Sequence, residues 1–91
     1  MLFDWFDARE ATQFGSSLAD FLAERIPNKS PKKAPEALAK LFAQIESFKQ
    51  SNKLNMYKKA KLGNAFKWKL IDHGYTDEFI EEMTKEVLLH L

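Results

Sequence analysis

The chain has 91 residues, of which 45% are hydrophobic and 30% charged, and it contains twelve aromatic side chains and no cysteine. This length and composition predict a single globular domain, residues 1–91, with a core of modest size, and they exclude a disordered chain. Disulfides and thiolate metal sites are excluded, and no apolar run approaches the roughly 20 residues of a membrane span, so we expect a cytoplasmic protein without a membrane partner.

The formal net charge of +1 conceals an uneven distribution along the chain. Residues 1–26 carry two arginines against five acids, a charge of −3, and residues 72–91 carry one lysine against six acids, a charge of −5. Residues 27–71 carry eleven lysines against two acids, a charge of +9. Two acidic ends therefore flank a basic middle.

The first segment places apolar side chains along one face of a predicted helix. These side chains are Ala11, Phe14, Leu18, Phe21, Leu22 and Ile26. We predict that the helix begins at a capping Asp7, or alternatively at Asp4, and that Pro27 ends it. Gly15 lies beside the apolar stripe, where a glycine costs up to about 1 kcal/mol relative to alanine. We therefore expect another helix to approach closely at Gly15.

Residues 27–34, rich in proline and lysine, predict a short surface connection to a second helix, with Pro35 in its first turn. The apolar stripe of that helix is Leu38, Leu41, Phe42, Ile45 and Phe48. Ser51 and Asn52 interrupt the stripe, and we predict a left-handed C-cap at Asn52.

Good capping residues bound the remaining two predicted helices. Asn55 is the expected N-cap of the third helix, which runs to about His73 and ends at Gly74. Thr76 is the expected N-cap of the fourth helix, with acids in its first turn where the helix dipole favours them. The apolar stripe of the fourth helix is Phe79, Ile80, Met83, Val87 and Leu91.

No strand-like alternation is present, so we predict an all-α fold. Short connections make consecutive helices antiparallel, which favours a compact antiparallel bundle of four helices. Three long helices with an N-terminal turn are the alternative.

Residues 49–70 hold seven lysines and no acid, with aromatic residues among them. On a helical wheel of about 100° per residue, half of the third helix is the expected core face: Met56, Ala60, Leu62, Gly63, Phe66, Leu70 and Ile71. The opposite half carries Tyr57, Lys58, Lys61, Ala65, Trp68 and Lys69. A core does not need aromatic rings there, so Tyr57, Lys58, Lys61, Trp68 and Lys69 form our candidate binding surface. The alternative is that a second neighbouring helix covers Tyr57 and Trp68, since a middle helix of a bundle has two neighbours.

Lysines that bind phosphates and rings that stack on bases are typical of surfaces for RNA or single-stranded DNA. Lysines also line ordinary solvated faces, and Glu78, Glu81 and Glu82 of the fourth helix are candidates to neutralise them. Residues 49–70 contain no arginine, which dedicated nucleic-acid surfaces usually use. We therefore expect a protein–protein interaction or accessory module, with nucleic-acid binding as the alternative.

Both ends of the chain carry more apolar side chains than one core face can take. Leu2, Phe3, Trp5 and Phe6 are predicted to cover the bundle as a lid or to meet a partner. Leu88, Leu89 and Leu91 point in more than one direction around the fourth helix, so they are candidates for self-association in a homodimer.

The polar residues that could support chemistry do not form a recognisable site. Glu82, Glu86 and His90 share one face of the fourth helix but lack ligands from a second helix. Asp72 and His73 are adjacent at a helix end, where a histidine is favoured by the helix dipole. We predict no catalytic activity, metal ion, cofactor or small-molecule substrate.

Overall fold

A computed structural model describes residues 7–29, 31–32 and 34–91. This part of the chain forms four helices, α1 (Arg9–Ala23), α2 (Pro35–Ser51), α3 (Met56–Asp72) and α4 (Asp77–His90), and its described ranges contain no strand. The predicted all-α fold of four antiparallel helices is therefore confirmed. Leu2, Phe3, Trp5 and Phe6, the predicted lid, lie outside the described residues.

The helices surround one hydrophobic core. The most extensive contact joins α1 to α3, the next joins α3 to α4, and α2 packs more loosely against α4 and α1. The largest fully buried side chains come from all four helices and from the segment after α1: Leu18, Leu22, Ile26, Leu41, Ile45, Leu62, Phe66, Leu70, Met83 and Val87.

Three of the predicted helix boundaries are confirmed by their capping geometry. The Asn55 Oδ1 atom accepts a hydrogen bond from the backbone N–H of Lys58 at 2.8 Å, and Thr76 Oγ1 accepts one from Phe79 at 3.3 Å. Gly74 follows α3 with a φ of 82°, a left-handed conformation that glycine adopts without a steric penalty.

Two predicted caps are wrong in detail. Ala8 occupies the N-cap position of α1, and Asp7 lies one residue earlier, where its carboxylate accepts a hydrogen bond from the backbone N–H of Arg9 at 3.2 Å. Asn52 is extended, with a φ of −137°, and its side-chain amide donates to the carbonyl of Phe48 at 3.1 Å. Asn52 thus caps α2 with its side chain, which satisfies an end carbonyl without a left-handed backbone.

The close helix approach predicted at Gly15 is confirmed. A Cβ atom at this position would overlap the carbonyl oxygen of Leu62 and lie 3.2 Å from Ala65 Cβ. The missing side chain therefore allows the backbones of α1 and α3 to touch.

The predicted core face of α3 is wrong along one edge. Met56 is 84% exposed, Ala60 is exposed and Ile71 is 40% exposed, whereas Leu62 and Phe66 are fully buried. The close crossing at Gly15 brings α1 over the Ala65 side of α3 and turns the opposite edge towards solvent. A wheel drawn from α3 alone carries no information about where its neighbour crosses.

Candidate interaction surface

The five candidate side chains of α3 divide between two sides of the helix. Lys58 and Lys69 are half-buried on the side next to α1, with Lys69 Nζ 3.9 Å from the Oδ1 atom of Asp20. Lys61 and Trp68 are exposed, and the Lys61 ammonium lies 5.6 Å from the ring centroid of half-buried Tyr57. The outward surface therefore keeps two rings and one of these three lysines.

Trp68 is the most informative of these side chains because it is 61% exposed. It lies one helical turn from Ile71, so the two side chains are neighbours on the surface of α3. Leu88 and Leu89 of α4 are 45% and 70% exposed. We call these four residues, Trp68, Ile71, Leu88 and Leu89, the apolar surface.

A groove with a volume of about 640 Å³ runs between α3 and α4, and it contains most of the apolar surface. Its lining residues are Lys67, Ile71, Asp77, Ile80, Glu81, Thr84, Lys85, Leu88 and Leu89. The floor is apolar, and charged side chains lie along both rims. We refer to it below as the α3/α4 groove.

Several charged residues of α3 and α4 form no ion pair in the described ranges although the two helices are neighbours. In the described ranges, Lys61 and Lys67 form no ion pair, and neither do Glu78 and Glu81. The ion pair from α3 to another helix that the structure does show joins Lys69 to Asp20 of α1. Lys61, Lys67, Glu78 and Glu81 therefore keep their charges available to a partner.

The three C-terminal leucines do not share one surface. Leu91 is half-buried and packs against the hydrophobic core. Leu88 lies over Gly63, close enough that a Cβ atom on that glycine would be 2.7 Å from Leu88 Cδ2. Among the three residues predicted for self-association, Leu88 and Leu89 are the ones that the fold leaves exposed.

A contact that the sequence did not indicate joins the end of α3 to α1. The Nε2 atom of His73 lies 2.7 Å from Asp20 Oδ1, and Asn28 Nδ2 donates to the His73 carbonyl at 2.7 Å. The sequence instead drew attention to Asp72, the chain neighbour of His73. Asp20 lies 53 residues from His73, so no local spacing could have paired them.

The side chain of His90 is held in place by contacts with Phe42 and Glu86. Its ring stacks on Phe42 with centroids 3.8 Å apart, and Nδ1 lies 2.8 Å from the carbonyl oxygen of Glu86. Within the described part of the chain, no three histidine or carboxylate side chains are grouped as metal ligands.

Comparison of the chain with protein-family models, with curated proteins and with solved structures found no match. None of the described helices combines the length and the apolar character that crossing a membrane requires. Fold and surface together define a class of protein, the small four-helix bundle in which the described residues leave an apolar groove exposed.

Proposed function

We propose that this chain is a non-catalytic, cytoplasmic protein–protein interaction module that binds its partner through the apolar surface. The observation that supports this most directly is the exposure of Trp68, Ile71, Leu88 and Leu89 around one groove. Apolar patches of this kind on a small soluble domain are typical of binding sites, since solvent exposure of each side chain costs free energy that a partner recovers.

The composition of the patch also suits a protein partner. Interfaces combine aromatic and aliphatic anchors with a charged rim, and tryptophan is among the residues that most often dominate binding energy. Trp68 and the leucines supply anchors, while Lys67 and Glu81 supply rim charges of opposite sign.

Photo-crosslinking tests this proposal. A photoreactive amino acid placed at Leu89 is expected to form an adduct with a protein, which excess unlabelled chain removes by competition. The matched control carries the same group at Ala43, an exposed residue of α2, which does not pack against α3 in the described part of the chain. No protein adduct at Leu89, or equal adducts at both positions, would refute the proposed function.

A second candidate function, binding of RNA or single-stranded DNA, is favoured by one specific observation. Exposed Trp68 shares the outward side of α3 with Lys61 and Tyr57, and the Lys61 ammonium lies 5.6 Å from the Tyr57 ring. Rings and ammonium groups in one strip can stack on bases and bind phosphates. Lys69, paired with Asp20, is less available for this role.

Fluorescence anisotropy of labelled RNA at about 50 and 200 mM salt separates the two functions, because phosphate contacts weaken steeply over this range. If nucleic acid is the ligand, Lys61→Ala lowers both the affinity and its salt dependence. If a protein is the ligand, Trp68→Ala weakens its binding strongly and Lys61→Ala has little effect. The same titration is repeated with labelled single-stranded DNA, and absence of binding to both nucleic acids at both salt concentrations eliminates the second candidate.

A further inference from the structure

We propose that the α3/α4 groove is the interface of a homodimer in which α3 of each copy lies over α4 of the other. This inference rests on the proposed function and names the partner, a second copy of this chain. Three features of the groove support it: its apolar floor, the opposite charges of its two rims, and the antiparallel direction of its two helices.

The two rims of the groove are complementary to each other. Lys67 lies on the α3 rim, and Asp77, Glu81 and Lys85 lie on the α4 rim, so that the α3 rim is positive and the α4 rim carries more acids than lysines. None of these four residues forms an ion pair with any residue in the described ranges. A surface with a net positive rim on one side and a net negative rim on the other can be complementary to a second copy of itself.

When the helices of the two copies run along one another, two-fold symmetry leaves two ways for two grooves to meet face to face. A two-fold axis across the helices places α3 over α3 and α4 over α4, so lysines oppose lysines and acids oppose acids. A two-fold axis along the groove places α3 over α4 of the other copy, in antiparallel orientation. Only the second arrangement brings Lys67 of one copy towards Glu81 of the other, twice by symmetry.

The floor supplies the apolar contact that such a dimer needs. Ile71, Leu88 and Leu89 are exposed in the monomer, and the facing helix of the other copy would cover them. Trp68 lies one turn from Ile71 at the margin, so its ring extends the covered area. Protein interfaces usually have apolar side chains at the centre and charged side chains at the rim.

Sedimentation equilibrium of the full chain, from about 10 µM to about 1 mM, tests the inference by mass action. We expect the average mass to rise from 10.6 kDa towards twice that value. Lys67→Glu and Glu81→Lys should each raise the dimer dissociation constant at least about tenfold, because each places like charges opposite one another at two positions.

Mixing the two variants provides the decisive measurement. In the mixed pair, the glutamate introduced by Lys67→Glu in one chain faces the lysine introduced by Glu81→Lys in the other, and the remaining rims keep their native charges. An equimolar mixture of the two variants should therefore dimerise as the unmodified chain does, whereas each variant alone should show the raised dissociation constant. Ala43→Glu, on the exposed face of α2, is the matched control and should leave dimerisation unchanged.

Each other outcome overturns the inference. A monomer at about 1 mM excludes a homodimer of useful strength, and a dimer that both charge reversals leave intact uses another surface. Far-ultraviolet circular dichroism of each variant, compared with the unmodified chain, shows that a lost dimer is not a lost fold. If the chain is monomeric but Leu89 still crosslinks specifically to a different protein, the homodimer fails while the proposed function stands.

Discussion

At the scale of single residues, Tyr75 connects the turn between α3 and α4 to the end of α1. It is buried, its ring stacks on Phe79 with centroids 4.7 Å apart, and its hydroxyl donates a hydrogen bond to the Ile26 carbonyl. Burial raises the pKa of the Tyr75 hydroxyl, because the phenolate is poorly solvated there. One side chain thus ties together three parts of the fold.

Tyr75→Phe should lower the free energy of unfolding by about 1–3 kcal/mol, because the Ile26 carbonyl loses its donor while the ring packing is retained. Urea denaturation at pH 7 measures this change. The raised pKa also predicts that the Tyr75 contribution is full below pH of about 10 and is lost as the pH rises through the folded-state pKa. Equal stability of the two proteins at pH 7 would show that water replaces the tyrosine hydroxyl at no cost.

The pKa of Asp7, just before α1, is lowered, whereas that of Tyr75 is raised. A hydrogen bond from the Arg9 side chain, a second from the Arg9 backbone N–H, and the charges of Arg9 and Lys58 lower the pKa of Asp7 to about 2. Its stabilising contribution is therefore present above the ordinary value of 3.8 and is lost as the pH falls towards about 2.

Arg9→Gln should raise the pKa of Asp7 towards 3.8. The titration midpoint of Asp7 is measured by following the chemical shift of its side-chain carboxyl carbon as a function of pH. Arg25→Gln is the matched control, since Arg25 pairs with Glu24 at the other end of α1. A midpoint that does not respond to Arg9→Gln would mean that the Arg9 side chain has no part in the shift.

At the scale of helices, two glycines of the bundle predict opposite responses to the same substitution. In Gly15→Ala the new Cβ atom meets the backbone of Leu62, which cannot move without displacing α3. The resulting overpacking typically costs about 1–3 kcal/mol, and it exceeds the gain in helix propensity of up to about 1 kcal/mol. Gly15→Ala should therefore destabilise the fold in urea denaturation.

Gly63→Ala is the matched comparison within α3. Its Cβ atom would meet the end of the Leu88 side chain, which is 45% exposed and can adopt another rotamer. The gain in helix propensity then dominates, and stability should stay the same or rise by up to about 1 kcal/mol. Comparable losses in both variants would mean that Leu88 is held as rigidly as the Leu62 backbone.

The sequence predicts the boundaries of the helices better than it predicts which side of each helix is buried. Asn55, Gly74 and Thr76 end or begin helices through contacts within three or four residues, so their roles follow from local sequence. The exposed positions of Met56 and Ile71 depend on where α1 crosses α3, which no local pattern specifies.

The candidate surface likewise combines one feature that the local sequence indicates with others that depend on how the helices pack. On the wheel Trp68 lies opposite Leu62 and Phe66, which leaves open whether a second helix covers it, and its exposure of 61% shows that none of the described helices does. The sequence did not indicate the α3/α4 groove, since the groove exists only where residues of two helices meet. The wheel of α3 predicts a core position for Ile71, whereas the fold places it along the groove.

At the scale of the whole molecule, the four helices are not equally attached. The backbones of α1 and α3 touch at Gly15, whereas large side chains hold α2 at a greater distance. Phe48 of α2 stacks on Phe14 with ring centroids 4.1 Å apart, and Phe42 stacks on His90. The bundle therefore consists of a tight unit of α1, α3 and α4, to which α2 is attached mainly through its side chains.

Hydrogen exchange of the backbone amides should show this difference directly. We expect the central amides of α1 and α3 to exchange only through global unfolding, and those of α2 to exchange faster through a partial opening that leaves the other three helices folded. Phe48→Ala removes the stack on Phe14, so it should accelerate exchange in α2 more than in α3. Glu36→Ala, in the exposed first turn of α2, is the control for a change that removes no packing. Uniform protection across all four helices, with equal acceleration in Phe48→Ala, would show that the bundle opens as a single cooperative unit.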